Sequence, residues 1–194
     1  PPALSVWPQP HRIARSSCGG GGVNSSIELY GPVSIDFGGA TALRSVFRRY
    51  YSAAQPDSSL LFRHGEPREG IGAVIAVSSG VEITPVALGI NESYELAIRG
   101  DSRGAATISI QAATQVGVVY ALESLSQLIV FDPATGAYSA PCVKIEDAPR
   151  FAHRELMLDS GRFFLPIALL KDAVDAMVMT KLNVLHLHAV DSES

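Results

Sequence analysis

The sequence predicts an α+β domain followed by a single βαβ unit, and three patterns carry that expectation. Apolar and polar residues alternate with a period of two through residues 26–37 and 94–110, which is the mark of half-buried strands. Two stretches, 43–51 and 114–129, repeat apolar residues at helical spacing instead. Beyond Pro149 the alternation gives way to two short apolar runs separated by one amphipathic helix.

Residues 1–25 read as an irregular lead-in, broken by Pro8, Pro10 and the run Gly19 to Gly22. Ile27, Leu29, Val33, Ile35 and Phe37 then alternate on either side of Gly31-Pro32. Leu43, Val46, Phe47, Tyr50 and Tyr51 share one helical face, Arg44, Arg48 and Arg49 occupy its solvated side, and Pro56 ends the helix. After a charged loop over 63–69, Ala73 to Val77 reads as a buried strand. Tyr94 to Arg99 and Ala105 to Ile110 pattern as a hairpin around Gly100 to Gly104. Thr114 is placed to cap a second helix whose stripe is Val118, Ala121, Leu122, Leu125, Leu128 and Ile129. Residues 1–149 are therefore expected to form an antiparallel sheet with helices on one face.

Residues 150–194 follow a different grammar. Leu156 to Leu158 is one strand, Pro166 suits a first helical turn, and Ile167, Leu170, Val174 and Met177 give the helix its stripe. Val184 to Val190 is the second strand. Strands joined this way must be parallel, and parallel strands need cover on both faces. A lone unit does not supply it, so association is expected, with a homodimer as one form.

Composition narrows the function. The 194 residues are 47% hydrophobic and 18% charged, with a net charge of −4 and a mean hydropathy of +0.21. That balance argues against a nucleic-acid binder, which needs a basic surface to displace counterions. No apolar run reaches the ~18 residues of a membrane span. Cys18 and Cys142 allow at most one internal disulfide and exclude a four-cysteine zinc site. Asn24-Ser25-Ser26 and Asn91-Glu92-Ser93 are acceptor tripeptides for N-glycosylation, in keeping with a lysosomal or extracellular protein.

Binding sites of parallel α/β sheets form beyond the carboxyl ends of the strands. Arg162 follows the first strand of the βαβ unit and Asp191 the second, so both side chains reach one rim. A guanidinium fork beside an acceptor suits sugar hydroxyls; it also suits a plain surface salt bridge. His186 and His188 lie on one side of their strand. With Asp191 they form either a metal-ligand set or hydrogen-bonded histidines lining the sheet. No Gly-x-Ser-x-Gly elbow and no phosphate loop is present, and the acidic residues, Glu123, Glu146, Asp147 and Asp159 among them, form no convincing catalytic pair. Glu123, in mid-helix, is expected to be solvated or to cap.

Two stretches resemble the family 20 β-N-acetylhexosaminidases. Residues 150–166, with Leu158-Asp159-Ser160-Gly161-Arg162-Phe163-Phe164-Leu165-Pro166 at their heart, are similar to the opening of that family's (β/α)₈ barrel, and Lys181-Leu182-Asn183-Val184-Leu185-His186-Leu187-His188-Ala189-Val190-Asp191 to its second strand. Gly117 to Leu128 resembles the last helix of its N-terminal α+β domain, and Trp7-Pro8-Gln9-Pro10 the lead-in. The resemblance implies a truncated barrel here and an exo-glycosidase that removes terminal β-linked N-acetylglucosamine or N-acetylgalactosamine from glycans without metal or cofactor. It implies that Arg162 grips sugar hydroxyls, that Asp191 serves the same subsite and that His188 stands beside it. The family's substrate-assisted chemistry uses an adjacent Asp-Glu pair, expected beyond Ser194, since the 194 residues contain no such dipeptide. Glu155 stands where a glycine is usual and Ser192 where a second aspartate is common.

Overall fold

The computed structural model describes residues 6–19, 26–29, 34–36, 43, 73–78, 80–102, 105–134 and 137–192. The chain divides into two compact units, Pro1–Val86 with Ile90–Ala148, and Ala87–Gly89 with Pro149–Ser194.

In the first unit the described strands are β1 (Arg12–Arg15), β2 (Ser26–Leu29), β3 (Ser34–Asp36), β4 (Ala73–Val77), β5 (Tyr94–Gly100), β6 (Ala106–Ala112), β7 (Val130–Asp132), β8 (Ala137–Pro141) and β9 (Val143–Asp147), and helix α1 spans Gln115–Leu128. Six strands form one sheet in the order β1-β9-β5-β6-β4-β3, and β2-β8-β7 form another. The hairpin β5-β6 is the spine. Leu96 stands between Ile110 and Ile145, and Ile98 between Ile108 and Val143, all at most 2% exposed. Tyr94, of the same parity, bonds through its hydroxyl to Ser124 Oγ of α1 at 2.6 Å, so this is the face the helix covers. The opposite parity is polar, with Lys144 Nζ bridging Glu95 (3.0 Å) and Glu146 (2.9 Å).

Helix α1 begins where Thr114 accepts a hydrogen bond from the Gly117 amide. Gly117 is required by packing: a Cβ there would stand 2.5 Å from Ser93 O and 2.9 Å from Ala112 Cβ. The stripe Val118, Ala121, Leu122, Leu125 and Leu128 is buried in the core against the hairpin. Cys18 and Cys142 form a disulfide with Cα atoms 5.6 Å apart.

Four expectations are corrected. The sheet is mixed, because β4 pairs parallel with both β3 and β6; alternation reports a half-buried strand but not its direction, and the long β3-to-β4 connection leaves room for a crossover. The lead-in holds a strand, β1, antiparallel to β9. Residues 26–37 supply two strands to different sheets, β2 pairing with β8 and β3 with β4. Glu123 is buried, with Oε1 accepting from Gln127 Nε2 at 3.0 Å. Of the helix expected at 43–51, Leu43 is helical and buried; the rest, with Arg44, Arg48 and Arg49, lies outside the described residues.

The second unit contains β10 (Glu155–Asp159), α2 (Ile167–Met179) and β11 (Val184–His188). The two strands are parallel, with Glu155 opposite Val184 and Asp159 opposite His188. That register puts Glu155, Met157, Asp159, His186 and His188 on one face and Leu156, Leu158, Leu185 and Leu187 on the other. Of the predicted α2 stripe, Met177 is buried, whereas Ile167 is 71% exposed. The strand starts are stitched through Asn183, whose Oδ1 accepts from the Arg154 amide (2.9 Å) and whose Nδ2 donates to Ala152 O (2.8 Å). Arg154 Nε donates to Lys181 O at 2.7 Å, across a turn in which Lys181 takes a left-handed φ of 56°.

Candidate functional site

The carboxyl ends of β10 and β11 are tied together before any long side chain is placed. The amides of Ser160 and Gly161 both donate to His188 O, at 2.9 and 3.0 Å. Asp159 Oδ1 in turn accepts the amides of Gly161 (3.1 Å) and Arg162 (3.0 Å), which closes the turn after β10. Gly161 lets that turn approach β11's continuation, since a Cβ there would lie 3.1 Å from Val190 C and 3.2 Å from Asp191 N.

This turn delivers Arg162 to Asp191. Arg162 Nε and Nη2 lie 2.8 and 2.7 Å from Asp191 Oδ2, and His188 Nε2 is 3.0 Å from the same oxygen. Asp159 Oδ2 stands 3.5 Å from Arg162 Nη1. One guanidinium thus lies between two carboxylates, with its side chain 58% exposed and that of Asp191 only 11%. An ion pair this open to solvent contributes on the order of 0–1 kcal/mol to stability. Its geometry is better suited to presenting the remaining N–H donors to a polyhydroxylated ligand.

A second carboxylate cluster occupies the other end of the same face. Glu155 Oε2 is 2.9 Å from His153 Nε2 and its Oε1 is 3.0 Å from His186 Nδ1. The bonds from His153 and then His186 hold the Glu155 carboxyl below its ordinary value. His186 and His188 do not share a partner: His186 turns a nitrogen to Glu155 and His188 turns one to Asp191. Among the described residues no three His, Cys, Asp or Glu side chains are grouped to hold a metal ion.

Arg162, Asp191 and His188 are brought together and Asp159 joins them, whereas Glu155 gathers His153 and His186 at the other end of the face; the sequence reading left both of these carboxylates without a partner. Their signal was parity. Once the strands are parallel, Glu155 and Asp159 share a face with His186 and His188. Of the two acceptor asparagines, Asn91 is exposed, and Asn24 lies outside the described residues.

Comparison with known proteins gives the family. The family model for the glycosyl hydrolase family 20 catalytic domain matches residues 151–194, and one described as beta-acetyl hexosaminidase like matches residues 6–128. The chain belongs to glycosyl hydrolase family 20. It is 34% identical to Beta-hexosaminidase 1 of Arabidopsis thaliana, over all of this chain and 37% of that protein. It is 32% identical to the Beta-hexosaminidase subunit alpha of Bos taurus, over 99% of this chain and 36% of that one. The chain therefore spans about a third of the length of the curated relatives it matches. Among solved structures, the Flavobacterium johnsoniae chitobiase superposes with a TM-score of 0.73 at 26% identity, over 97% of this chain and 27% of that one. The Vibrio harveyi exo β-N-acetylglucosaminidase in complex with N-acetylglucosamine shares the fold, at a TM-score of 0.69 and 23% identity, over 100% and 27% of the two chains.

Proposed function

We propose that this chain supplies the sugar-gripping rim of a β-N-acetylhexosaminidase, an exo-glycosidase that removes terminal β-linked N-acetylglucosamine or N-acetylgalactosamine from glycans. The observation that carries the reading is the Arg162-Asp191-His188 cluster at the carboxyl ends of two parallel strands. Arg162 donates to the hydroxyls of the non-reducing-end sugar, Asp191 holds the guanidinium and accepts from the same ring, and His188 fixes the Asp191 carboxylate. The unit β10-α2-β11 is read as the first βαβ of a (β/α)₈ barrel. In support, Leu185 and Leu187 of β11, and Phe164 and Val190 near its rim, are exposed in the described residues and await cover.

Hydrolysis in this reading is substrate-assisted: the acetamido oxygen attacks the anomeric carbon, an aspartate orients it and an adjacent glutamate protonates the leaving oxygen. The 194 residues hold no Asp-Glu dipeptide, so this polypeptide by itself binds sugar without turning it over. The chemistry needs neither metal nor organic cofactor. The Cys18-Cys142 disulfide favours a lysosomal or extracellular setting. A second reading, a non-catalytic module that pairs with another copy, is favoured by the same exposed apolar side chains.

The test is a titration of the chain, observed by NMR, with N-acetylglucosamine and with glucose. Saturable perturbation of Arg162 and His188 by the first sugar, lost in Arg162→Ala, supports the rim. Equal response to both sugars, or none, defeats it. Release of chromophore from an N-acetylglucosaminide by the purified chain would overturn the claim that it does not hydrolyse.

A further inference from the structure

The sequon Asn91-Glu92-Ser93 lies in the first unit, immediately before β5, and has no part in the rim chemistry. Its middle residue is anchored and its asparagine side is open. Thr114, the N-cap of α1, donates its hydroxyl to Asn91 O, and the buried Glu92 accepts from Tyr120 Oη at 3.1 Å. Asn91 itself is exposed. Its Oδ1 accepts both the Ser93 amide (3.0 Å) and the Ser93 hydroxyl (2.6 Å). The chain thus presents the acceptor amide outward, with the hydroxyl that glycosyl transfer requires two residues on already bonded to that amide's oxygen. Hydroxyl donation to the carboxamide oxygen makes the amide N–H more acidic, which eases the proton loss that accompanies transfer. The disulfide between Cys18 and Cys142 points independently to folding in an oxidising compartment, where that transfer takes place.

We infer that Asn91 carries an N-linked glycan. The Asn91 amide nitrogen attacks C1 of a lipid-diphosphate-linked oligosaccharide. The N–C1 bond forms as the bond from C1 to the diphosphate oxygen breaks, the lipid diphosphate leaves with the electron pair, and one amide proton passes to the transferase's base. The inference does not depend on the hexosaminidase reading, since it concerns a residue outside the unit that holds Arg162 and Asp191.

The experiment expresses the full 194-residue chain behind a host secretory leader in eukaryotic cells and compares its mass before and after peptide N-glycosidase, in total extract so that retained protein is counted. The expected result is an enzyme-sensitive mass gain that disappears in Asn91→Gln and in Ser93→Ala, and persists in Ser93→Thr and in Asn24→Gln. Peptide mapping should find aspartate at position 91 after the glycosidase. Ser93→Ala leaves the Asn91 backbone contacts in place, so a folding defect specific to Asn91→Gln does not obscure the outcome. A chain with no sensitive mass, or one whose only sensitive mass vanishes with Asn24→Gln, overturns the inference.

Discussion

Arg162 and Asp191 are 29 residues apart in sequence and meet through two guanidinium nitrogens on a single carboxylate oxygen, at 2.7 and 2.8 Å. That oxygen also takes the His188 contact, so the orientation of the aspartate and that of the arginine are set together. Replacing the fork with a point charge keeps the sign and loses the geometry. Arg162→Lys is expected to weaken N-acetylglucosamine binding by roughly 10- to 150-fold, the equivalent of one charge-assisted hydrogen bond of about 1.5–3 kcal/mol. A titration in which Arg162→Lys binds as the parent does would remove Arg162 from the sugar subsite.

Asn183 holds the starts of β10 and β11 together through one donor and one acceptor. Asn183→Ala should lower stability by about 1–3 kcal/mol, since both partners are backbone groups that lose a bond. Urea unfolding followed by circular dichroism measures this, and an unchanged midpoint would show that the stitch contributes nothing.

Tyr94 donates to Asp147 Oδ2 at 2.9 Å and shares a bond with Ser124 Oγ. Burial pushes its phenol well above the ordinary 10.0, Ser124 opposes this and Asp147 adds to it. A group held neutral in the folded state contributes stability that is intact below its unfolded value and falls as pH rises above about 10. Alkaline unfolding should therefore begin above that pH and be blunted in Tyr94→Phe. The same variant should cost about 0.5–1.5 kcal/mol per lost bond at neutral pH. Alkaline curves that coincide for the two proteins would contradict this account.

Glu155 offers the opposite sign. Its carboxyl is lowered from 4.5 by bonds from His153, then His186. Its contribution is present above the unfolded value and is lost as pH falls from about 4.5 through the lower folded one. Acid unfolding of the parent should steepen in that window relative to Glu155→Gln. NMR observation of the carboxyl carbon gives the direct check, and a midpoint at or above the ordinary value would refute it.

The disulfide closes a long loop, with its cysteines 124 residues apart. Replacing both with serine should cost about 2–5 kcal/mol. Cys142 is 1% exposed, so part of that loss would come from the buried position itself. Thermal denaturation of the double variant decides it, with an unshifted transition as the contrary result.

How much of this was legible depended on how much pattern each segment carries. The β5-β6 hairpin, α1 and the βαβ unit have seven-residue strands or long stripes, and Thr114 and Pro166 mark their helix starts as the sequence suggested. β7 is exposed at all three positions, so it carries no alternation to read. β1 is four residues long and finds its partner only in β9, at the far end of the unit. Arg162, Asp191 and His188 were visible because each sits at or just past a strand end. Glu155 and Asp159 required the parallel register before their shared face with the histidines could be seen.

The Cys18-Cys142 link also sets a timetable. A ribosome adding roughly 5–20 residues per second needs on the order of 6–25 s to travel from one cysteine to the other. Throughout that interval the thiol of Cys18 has emerged without its mate, and β1 waits equally long for β9. The newly made polypeptide therefore carries an unpaired strand and an unspent thiol until the residues around Cys142 follow.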